Sequence, residues 1–259
     1  MSETASISTL QLEQKKDYTI VQIDNGKVNG ITTQLLADLK NTFLALDADE
    51  NTKGIILAGR PHCFSAGINV KALALSTPEE VNEFWVQYHL ALQAMVRFSK
   101  PFVCAITGYA PAGATILACT ADYRIMGKGA KHRIGMHEFK MSMQIPEFLC
   151  DIYAYVLGEK QAWEAVQKAQ LFTSDEAVTV GLVNESVEVE EVLPRAEKYM
   201  KFQVNVYDKV YKNSKRFFRK GLLKIVDRDF EPLLEEIASD NSDPKVKMMM
   251  QMFIASLKK

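Results

Sequence analysis

The amino-acid sequence predicts an α/β protein with parallel strand–helix–strand units in its first two-thirds and a helical region after them. Short apolar runs bounded by turn residues alternate with amphipathic helical segments up to about residue 145. From Pro146 onward the hydrophobic pattern is mostly helical. Strands that alternate with helices are typical of parallel sheets, because a parallel connection must cross back over the sheet.

Length and composition exclude several classes of protein. The chain has 259 residues, of which 47% are hydrophobic and 24% are charged. These are ordinary values for a globular protein that can bury a large core. The formal net charge of −1 offers no general attraction to nucleic acid or to an anionic membrane, so we expect neither as a partner.

Cysteine and histidine usage indicates neither a metal site nor a disulfide framework. No CxxC or HExxH pair is present, and we expect reduced thiols in a cytoplasmic protein. The first residues show no secretory pattern, and no apolar run is long enough to span a bilayer. The four cysteines are Cys63, Cys104, Cys119 and Cys150.

The first 98 residues contain two strands, each followed by a loop and a helix. Alternating β-branched residues indicate the first strand, and a continuous apolar run indicates the second, buried on both faces. Thr32 or Thr33 is the expected N-cap of the first helix. The predicted elements are a strand at 18–24, a loop at 25–30, a helix at 32–49, a strand at 54–58, a loop at 60–67 and a helix at 78–98.

The pattern then repeats with shorter elements. Ser174 is the expected cap of a helix that precedes a returning strand. We divide the chain into a core at 1–195 and a C-terminal helical region at 196–259. The predicted elements are a strand at 102–106, a loop at 107–114, a helix at 115–120, a strand at 123–126, a candidate strand at 133–135, helices from 146, a strand at 181–187 and helices over about the last 65 residues.

Two loops of small residues follow two of the predicted strands. One contains Ser65, Ala66 and Gly67, and the other spans 108–114. Each alone is typical of an ordinary tight turn. Together they lie where the strands of an α/β sheet end, which is where such sheets bind ligands. Two backbone N–H groups that converge there would form an oxyanion hole.

A candidate general base lies in the segment 134–138. Glu138 follows the apolar Ile134 and Met136, and burial among such residues raises the pKa of a carboxyl group. The alternative is a solvated surface glutamate, since most glutamates are exposed. Glu147 is a rival base, although its place in the first turn of the next helix favours a role opposite the helix dipole.

Three segments resemble the crotonase, or enoyl-CoA hydratase/isomerase, superfamily. They are FSAGINVKAL at 64–73, GYAPAGATILACTADYRIM at 108–126 and IGMHEFKMSM at 134–143. The resemblance covers nearly the whole chain and is greatest to mitochondrial-type Δ3,Δ2-enoyl-CoA isomerases. It implies a crotonase-like ββα spiral core and a C-terminal helical trimerisation region. The expected assembly is a homotrimer or a hexamer made of two trimers.

The resemblance also implies a site for an acyl-CoA thioester. The two oxyanion donors fall on the amides of Ala66 and Gly113, and Glu138 is the catalytic acid–base. Coenzyme A is then part of the substrate, and no separate cofactor is expected. Pantetheine and adenine would follow 66–70 and the loop at 27–29. The implied substrate-binding residues are Val28, Ser65, Gly67, Ile68, Asn69, Val70, Ile116 and His137.

The number of glutamates distinguishes the reactions of this family. Hydratases of the family carry two, and the first of them falls here on Ile116, so Glu138 stands alone. Hydration needs groups that hold water and deliver a proton, whereas one carboxylate can carry a proton from C2 to C4. We therefore expect conversion of a 3-enoyl-CoA to the trans-2-enoyl-CoA in fatty acid β-oxidation. Apolar side chains of Ile116, Met136 and Met143 would line the pocket.

Several departures from the family pattern keep other functions open. Asn69 replaces the usual Asp, Ala114 a common second Gly, and His137 the usual Asn. The alternatives are decarboxylation or hydration of a CoA or acyl-carrier thioester, or acyl-CoA binding without catalysis. A basic segment forms either a solvated face or a contact to the CoA 3′-phosphate, and it consists of Lys212, Lys215, Arg216, Arg219 and Lys220. A methionine-rich stripe at 248–253 is expected at an interface or in the core.

Overall fold

A computed structural model describes residues 4–256 of the chain, within which ten strands and twelve α-helices form. The strands are β1 Thr4–Ile7, β2 Leu10–Gln14, β3 Thr19–Ile23, β4 Ile55–Ala58, β5 His62–Cys63, β6 Phe102–Ile106, β7 Gly108–Pro111, β8 Tyr123–Gly127, β9 Ile134–Gly135 and β10 Glu185–Val187. The helices are α1 Thr33–Ala48, α2 Val70–Leu73, α3 Pro78–Arg97, α4 Gly113–Cys119, α5 Glu147–Leu157, α6 Glu159–Gln167, α7 Ser174–Thr179, α8 Val189–Gln203, α9 Asp208–Phe218, α10 Lys220–Val226, α11 Glu231–Ser242 and α12 Pro244–Ser256. A 3₁₀ turn spans Glu138–Met141.

The strands form one large sheet and one small sheet. The large sheet has the order β1-β2-β3-β4-β6-β8-β10, and its strands are parallel from β3 to β10. The hairpin of β1 and β2 adds two antiparallel strands at one edge. The small sheet has the order β5-β7-β9 and is parallel throughout.

Successive turns of the chain build both sheets at once. The pairs β4 and β5, β6 and β7, and β8 and β9 each place one strand in the large sheet and the next in the small sheet. Each pair leads into a helix, namely α2 with α3, then α4, then α5. The predicted ββα spiral is therefore present. Each repeat adds one parallel strand to the large sheet and one to the small sheet.

Side-chain caps start several of the described helices, among them α1, α3 and α7. The Thr32 hydroxyl accepts a hydrogen bond from the Leu35 amide at 3.2 Å, which confirms the predicted cap of α1. Thr77 forms a capping box at α3. The predicted cap at Ser174 is wrong, because Thr173 forms the capping box with Glu176 and Ser174 is already helical. The strand predicted at 181–187 is shorter in the structure, where β10 spans only Glu185–Val187.

Four short strands were not predicted from the sequence. The residues of β5 and β7 lie inside the two small-residue loops, and β1 and β2 precede the first predicted strand. A two-residue strand such as β5 carries no alternation of its own. It exists because His62 pairs in register with Gly108, which lies forty-six residues later in the chain. Only the tertiary fold brings these two residues together.

The two faces of the large sheet are covered by different helices. Helices α1 and α3 belong to the main apolar core, to which Leu36, Phe43 and Leu92 contribute fully buried side chains. Helix α8 covers the other face, where Val192 and Met200 pack with strand residues. The predicted boundary at 195/196 therefore falls inside a helix that belongs to the core, because its apolar side seals the sheet.

A buried charge cluster attaches the C-terminal helices. Asp122 lies between α4 and β8 and accepts hydrogen bonds from Lys215 at 2.7 Å, Arg219 at 2.6 Å and Tyr211 at 3.1 Å. The Asp122 carboxylate also accepts the Phe102 amide at 2.9 Å. The suggested contact of Lys215 and Arg219 with a CoA phosphate is therefore wrong, since both cations pair inside the protein.

Helices α11 and α12 each contribute one side chain to the wall of the cavity described below. Met248 and Met252 of the predicted methionine stripe are exposed, while Met249 is half-buried. The side chains of Met250 and Phe253 lie outside the described residues. Within 4–256, no helix has the length and apolar character needed to cross a bilayer.

Candidate active site

A cavity of about 840 Å³ lies where β5 and β7 lead into α2 and α4. Its walls come from the loop before α1, the segment 66–71, the turn between β7 and α4, and the segment 137–146. Trp85 of α3, Ile237 of α11 and Val246 of α12 also line it. Two of the predicted site loops and the candidate base thus open onto one cavity.

The first small-residue loop is held in a tight backbone conformation. Gly67 has a φ of +83°, and a Cβ at this position would lie 3.0 Å from the Pro111 carbonyl oxygen. The buried Ser65 hydroxyl donates to the Asn29 carbonyl at 2.6 Å and accepts the Gly67 amide at 3.2 Å. Ser65 therefore shapes the loop and does not line the cavity, contrary to its predicted role as a substrate-binding residue.

The backbone geometry changes which amide is available as an oxyanion donor. The Ala66 amide donates to the Val28 carbonyl at 3.0 Å, so the predicted use of this N–H does not agree with the structure. Two residues later, the Ile68 amide has no hydrogen-bond acceptor within residues 4–256, and the same holds for the Gly113 amide. Ala66 still lines the cavity together with Ile68.

Ile68 and Gly113 are neighbours in space. A Cβ built on Gly113 would come 3.2 Å from Ile68 Cγ1, and one built on Gly67 would come 3.8 Å from the Gly113 nitrogen. The Tyr88 hydroxyl, fully buried in α3, donates to the Gly113 carbonyl at 2.9 Å. The start of α4 therefore stands directly beside the 67–68 peptide.

The turn before Gly113 is strained and braced. Ala112 has φ +53° and ψ −124°, a combination that residues with a Cβ rarely adopt. Its amide donates to the Gly135 carbonyl at 2.8 Å. The buried Thr115 hydroxyl accepts the Gly135 amide at 2.8 Å and donates to the Ala110 carbonyl at 2.7 Å. These bonds join β7, β9 and α4 and maintain the backbone that presents the Gly113 amide.

Glu138 is the only acidic side chain among the described residues that line the cavity. It begins the 3₁₀ turn, and its Oε2 is buried without a hydrogen-bond partner in the described chain. Burial raises the pKa of Glu138 to about 7, although the backbone amides of Glu138 and His137 partly oppose that shift. A carboxyl group with this pKa exchanges protons readily near neutral pH.

Glu147 does not compete for this role. Its carboxylate is exposed and pairs with Arg228 at 3.2 Å, and it does not line the cavity. The preceding residue, Pro146, does line it. Glu147 therefore remains a surface residue in the first turn of α5, as the helix-dipole interpretation predicted.

The remaining predicted site residues divide into two groups. Val28, Gly67, Asn69, Val70 and His137 line the cavity. Asn69 also caps α2, since its side chain accepts the Ala72 amide at 3.2 Å.

Ile116 is fully buried in α4 but does not reach the cavity surface, and the same holds for Met136. The predicted lining by Met143 is therefore confirmed, whereas Met141 lines the cavity where Ile116 and Met136 were expected. The physical reason is that Ile116 lies one turn along α4, where the helix faces the main core.

Several cavity residues were not singled out from the sequence. Trp85, Lys71 and Met141 were given no role, although Lys71 and Met141 lie inside the segments 64–73 and 134–143 that resemble the family, and all three lie on helical segments whose orientation only the fold decides. For Trp85 the sequence offered only its place on the helix predicted at 78–98. Within residues 4–256, no three metal-ligating side chains are grouped to hold an ion.

Comparisons with known proteins were made on the sequence and on the fold. The family model for enoyl-CoA hydratase/isomerase matches residues 13–258. The mitochondrial enoyl-CoA delta isomerase 1 of Rattus norvegicus is 26% identical over 250 residues, covering 96% of this chain and 86% of the rat protein. Crotonyl-CoA hydratase of Syntrophomonas wolfei is 25% identical over 189 residues, or 72% of each chain.

The fold matches solved structures over nearly its whole length. Human mitochondrial delta3-delta2-enoyl-CoA isomerase superposes with a TM-score of 0.93 at 25% identity, covering 97% of this chain and 98% of the human one. An enoyl-CoA hydratase from Bacillus halodurans superposes with a TM-score of 0.87 at 21% identity, which supports the fold alone. The predicted crotonase fold is thereby confirmed, and the chain belongs to the enoyl-CoA hydratase/isomerase family of enzymes.

Proposed function

We propose that this chain is a Δ3,Δ2-enoyl-CoA isomerase that converts a 3-enoyl-CoA to the trans-2-enoyl-CoA in fatty acid β-oxidation. The observation that carries the proposal is the presence of a single carboxylate, Glu138, among the described cavity residues. Ile116, where a second carboxylate would be expected in a hydratase, is an apolar residue buried away from the cavity. The similarity to the rat isomerase over 96% of the chain supports the same reaction.

Two free amides support stabilisation of a thioester enolate. The N–H groups of Ile68 and Gly113 are neighbours without an acceptor in the described chain. Gly113 itself is not among the cavity-lining residues, but Ile68 and the adjacent Ala112 are, which supports both amides as donors to the carbonyl oxygen of a thioester. Hydrogen bonds to that oxygen strengthen as negative charge develops on it. Losing one such donor typically costs about 3 kcal/mol of transition-state stabilisation.

The proton transfer then needs one acid–base group. The Glu138 carboxylate removes a proton from C2, and the electrons of that C–H bond spread over the dienolate and onto the thioester oxygen. Protonated Glu138 returns a proton to C4, which re-forms the carbonyl and leaves the double bond between C2 and C3. A pKa of about 7 suits both halves of the reaction, because it permits either protonation state at neutral pH.

Positive charge at the cavity entrance fits a substrate that carries phosphates. The exposed side chains of Lys27 and Lys71 line the cavity, whereas the chain as a whole has a net charge of only −1. Val28 and Val70, next to these lysines, also line the cavity and would contact the pantetheine arm. Acyl-CoA is thus the proposed substrate, with the acyl chain directed toward Trp85, Ile237 and Val246.

The test is the Glu138→Gln variant, assayed for conversion of a 3-enoyl-CoA. Glutamine keeps the size and polarity of the side chain but cannot take up the C2 proton, so we expect kcat to fall about 10²–10⁴-fold. Glu147→Gln is the matched control, because it removes an exposed carboxylate nine residues away along the chain. Its kcat should stay within about a factor of two of the wild type.

The same assay separates the alternatives. Undiminished isomerisation by Glu138→Gln would exclude the proposed mechanism. A wild-type rate of 2-enoyl-CoA hydration equal to the isomerisation rate would favour a hydratase instead. Binding of CoA esters without any change in the double bond would indicate a binding protein.

A further inference from the structure

The Tyr88 hydroxyl lies directly behind Gly113, on the side of that residue away from the cavity wall. Tyr88 belongs to α3, its side chain is fully buried, and its hydroxyl donates to the Gly113 carbonyl at 2.9 Å. Tyr88 is not among the residues that line the cavity, so it does not touch a substrate bound there. Any effect of its hydroxyl on the reaction therefore passes through a neighbouring residue.

Aromatic packing fixes the position of this hydroxyl. The Tyr88 ring lies 5.9 Å, between ring centroids, from each of Phe84 and Trp85 on its own helix. It lies 6.3 Å from the ring of Phe148 on α5. A tyrosine side chain has few rotatable bonds, and these contacts hold it in one rotamer. The hydroxyl is therefore a rigid anchor for the group that accepts its hydrogen bond.

Gly113 needs such an anchor more than most residues do. It has no Cβ, and the strained Ala112 backbone precedes it, with φ +53° and ψ −124°. A Cβ built on Gly113 would lie 2.8 Å from the Tyr88 hydroxyl and 3.2 Å from Ile68 Cγ1, so the glycine is enclosed between these two groups. Without the hydroxyl, the strained turn is free to relax and to rotate the Gly113 amide away from the Ile68 amide.

We propose that Tyr88 is a positioning residue whose hydroxyl holds the Gly113 peptide, so that the Gly113 amide points at the thioester oxygen. The proposal rests on the isomerase function proposed above, in which Ile68 and Gly113 are the oxyanion donors. Donors that are aligned before the reaction stabilise the enolate without further reorganisation. A misaligned donor weakens the transition state more than the bound substrate, because the oxygen carries more charge in the transition state.

The first test is kinetic and uses Tyr88→Phe, which removes the hydroxyl and keeps the packed ring. We expect kcat for conversion of a 3-enoyl-CoA to fall about 10- to 100-fold, with KM within about a factor of two. Tyr153→Phe is the matched control, because Tyr153 of α5 is equally buried but its hydroxyl does not bond to Gly113. Its kcat should stay within about a factor of two of the wild type. Equal losses of kcat in the two variants would overturn the proposal.

Isotope-edited infrared spectroscopy examines the oxyanion donors without turnover. A saturated acyl-CoA labelled with ¹³C at the carbonyl carbon is bound to the wild type and to each variant, and its carbonyl stretching frequency is compared with that of the free thioester. Hydrogen bonds to the carbonyl lower this frequency in the wild type. We expect the band to move back toward the free value in Tyr88→Phe and to keep the wild-type position in Tyr153→Phe. A tyrosine with a purely structural role would lower the melting temperature and leave the band unchanged, which would overturn the proposal.

The pH profile separates an effect on Gly113 from an effect on Glu138. Burial first, and also the charge of Glu138, raise the pKa of Tyr88 and of Tyr153, so both hydroxyls lie near this carboxylate. If Tyr88 acts through Gly113, the midpoint of the kcat/KM profile stays near the Glu138 pKa of about 7 in Tyr88→Phe. A shifted midpoint with an unchanged carbonyl band would assign the effect to Glu138 and contradict the proposal.

Gly113→Ala approaches the same contact from the other side, since its Cβ would displace the Tyr88 hydroxyl. In that background Tyr88→Phe should cost little further activity, so the two changes together cost less than the product of their separate fold-losses. Multiplicative fold-losses would show that the hydroxyl does not act through Gly113. Thermal unfolding of every variant establishes that it folds.

The outcomes for the two proposals are distinguishable. A wild type that isomerises a 3-enoyl-CoA but leaves the carbonyl band of the bound thioester at its free position retains the isomerase function and removes the role of Tyr88. Absence of any double-bond shift in the wild type overturns both. A carbonyl band that depends on the Tyr88 hydroxyl, together with a loss in kcat and an unchanged pH midpoint, supports both.

Discussion

At the scale of single residues, the chemistry depends on what a side chain or amide is bonded to. Ala66 and Ile68 are two residues apart in one loop, yet the Ala66 amide is occupied by the Val28 carbonyl while the Ile68 amide is free. Glu138 and Glu147 are both glutamates near the same helix, yet one has a buried, unpartnered oxygen and the other an exposed ion pair. Residue type decides neither whether a backbone amide is free nor whether a glutamate is buried.

The pH dependence of activity follows from Glu138. Its carboxyl group must be ionised to remove the C2 proton, and burial raises its pKa to about 7. We therefore expect log kcat/KM to rise with pH up to about 7 and then level off, falling about tenfold per pH unit below that value. The measurement is kcat/KM for a 3-enoyl-CoA between about pH 5 and 8.5. A rate that stays constant down to pH 5 would contradict a base with a raised pKa.

At the scale of elements, the site depends on short strands that hold loops in place. Strands β5, β7 and β9 pair in parallel, and each leads into a segment that lines the cavity. Thr115 and Gly135 connect α4 to β9, and Tyr88 connects α3 to Gly113. The strained backbone at Ala112 persists because these neighbouring elements constrain it on both sides.

The attachment of α9 can be tested at Asp122. Replacement by Asn leaves Lys215 and Arg219 buried without their counter-charge, since their side chains are only 7% and 11% exposed. We expect the free energy of unfolding to fall by about 3 kcal/mol in urea titration.

Asp208→Asn is the matched control for that substitution. Asp208 forms an exposed pair with Lys212 at 3.0 Å, one turn apart on the same helix. Its loss should change the free energy of unfolding by less than about 0.5 kcal/mol. Equal effects of the two substitutions would show that the Asp122 cluster does not hold the helix.

At the scale of the whole molecule, two helical layers have different tasks. Helix α8 completes the core under the large sheet, whereas α11 and α12 contribute to the wall of the cavity. Large apolar side chains also remain exposed along α8, α9 and the turn between them. They include Phe202, Tyr207, Val210, Phe217 and Phe218.

Exposed apolar side chains that follow one another along a segment are a feature of interaction surfaces, and they support assembly of this chain. We expect a homotrimer or a hexamer in solution. Light scattering coupled to size-exclusion chromatography should then give a mass of three or six times the 29.1 kDa of one chain. A species of 29.1 kDa at micromolar concentration would exclude both assemblies.

Much of this architecture was predictable from local patterns. The buried strand at 54–58, the helix at 78–98 and the cap at Thr32 follow from apolar runs, periodicity and hydroxyl capping, which depend on neighbouring residues alone. The strands β5 and β7 were not predictable in this way, because their pairing joins distant segments. For the same reason, Trp85 and Val246 could not be assigned to the cavity from sequence.

The sequence by itself determined the α/β class, the resemblance that led to the family, and the candidacy of Glu138, because these reside in periodicity and in motifs of adjacent residues. Only the tertiary structure decided that Ile68 and not Ala66 presents a free amide, that Ile116 faces the core, and that Lys215 and Arg219 bind Asp122. The physical reason is the same in each case. Hydrogen bonding, burial and ion pairing depend on distances between residues far apart in the chain, and folding alone sets those distances.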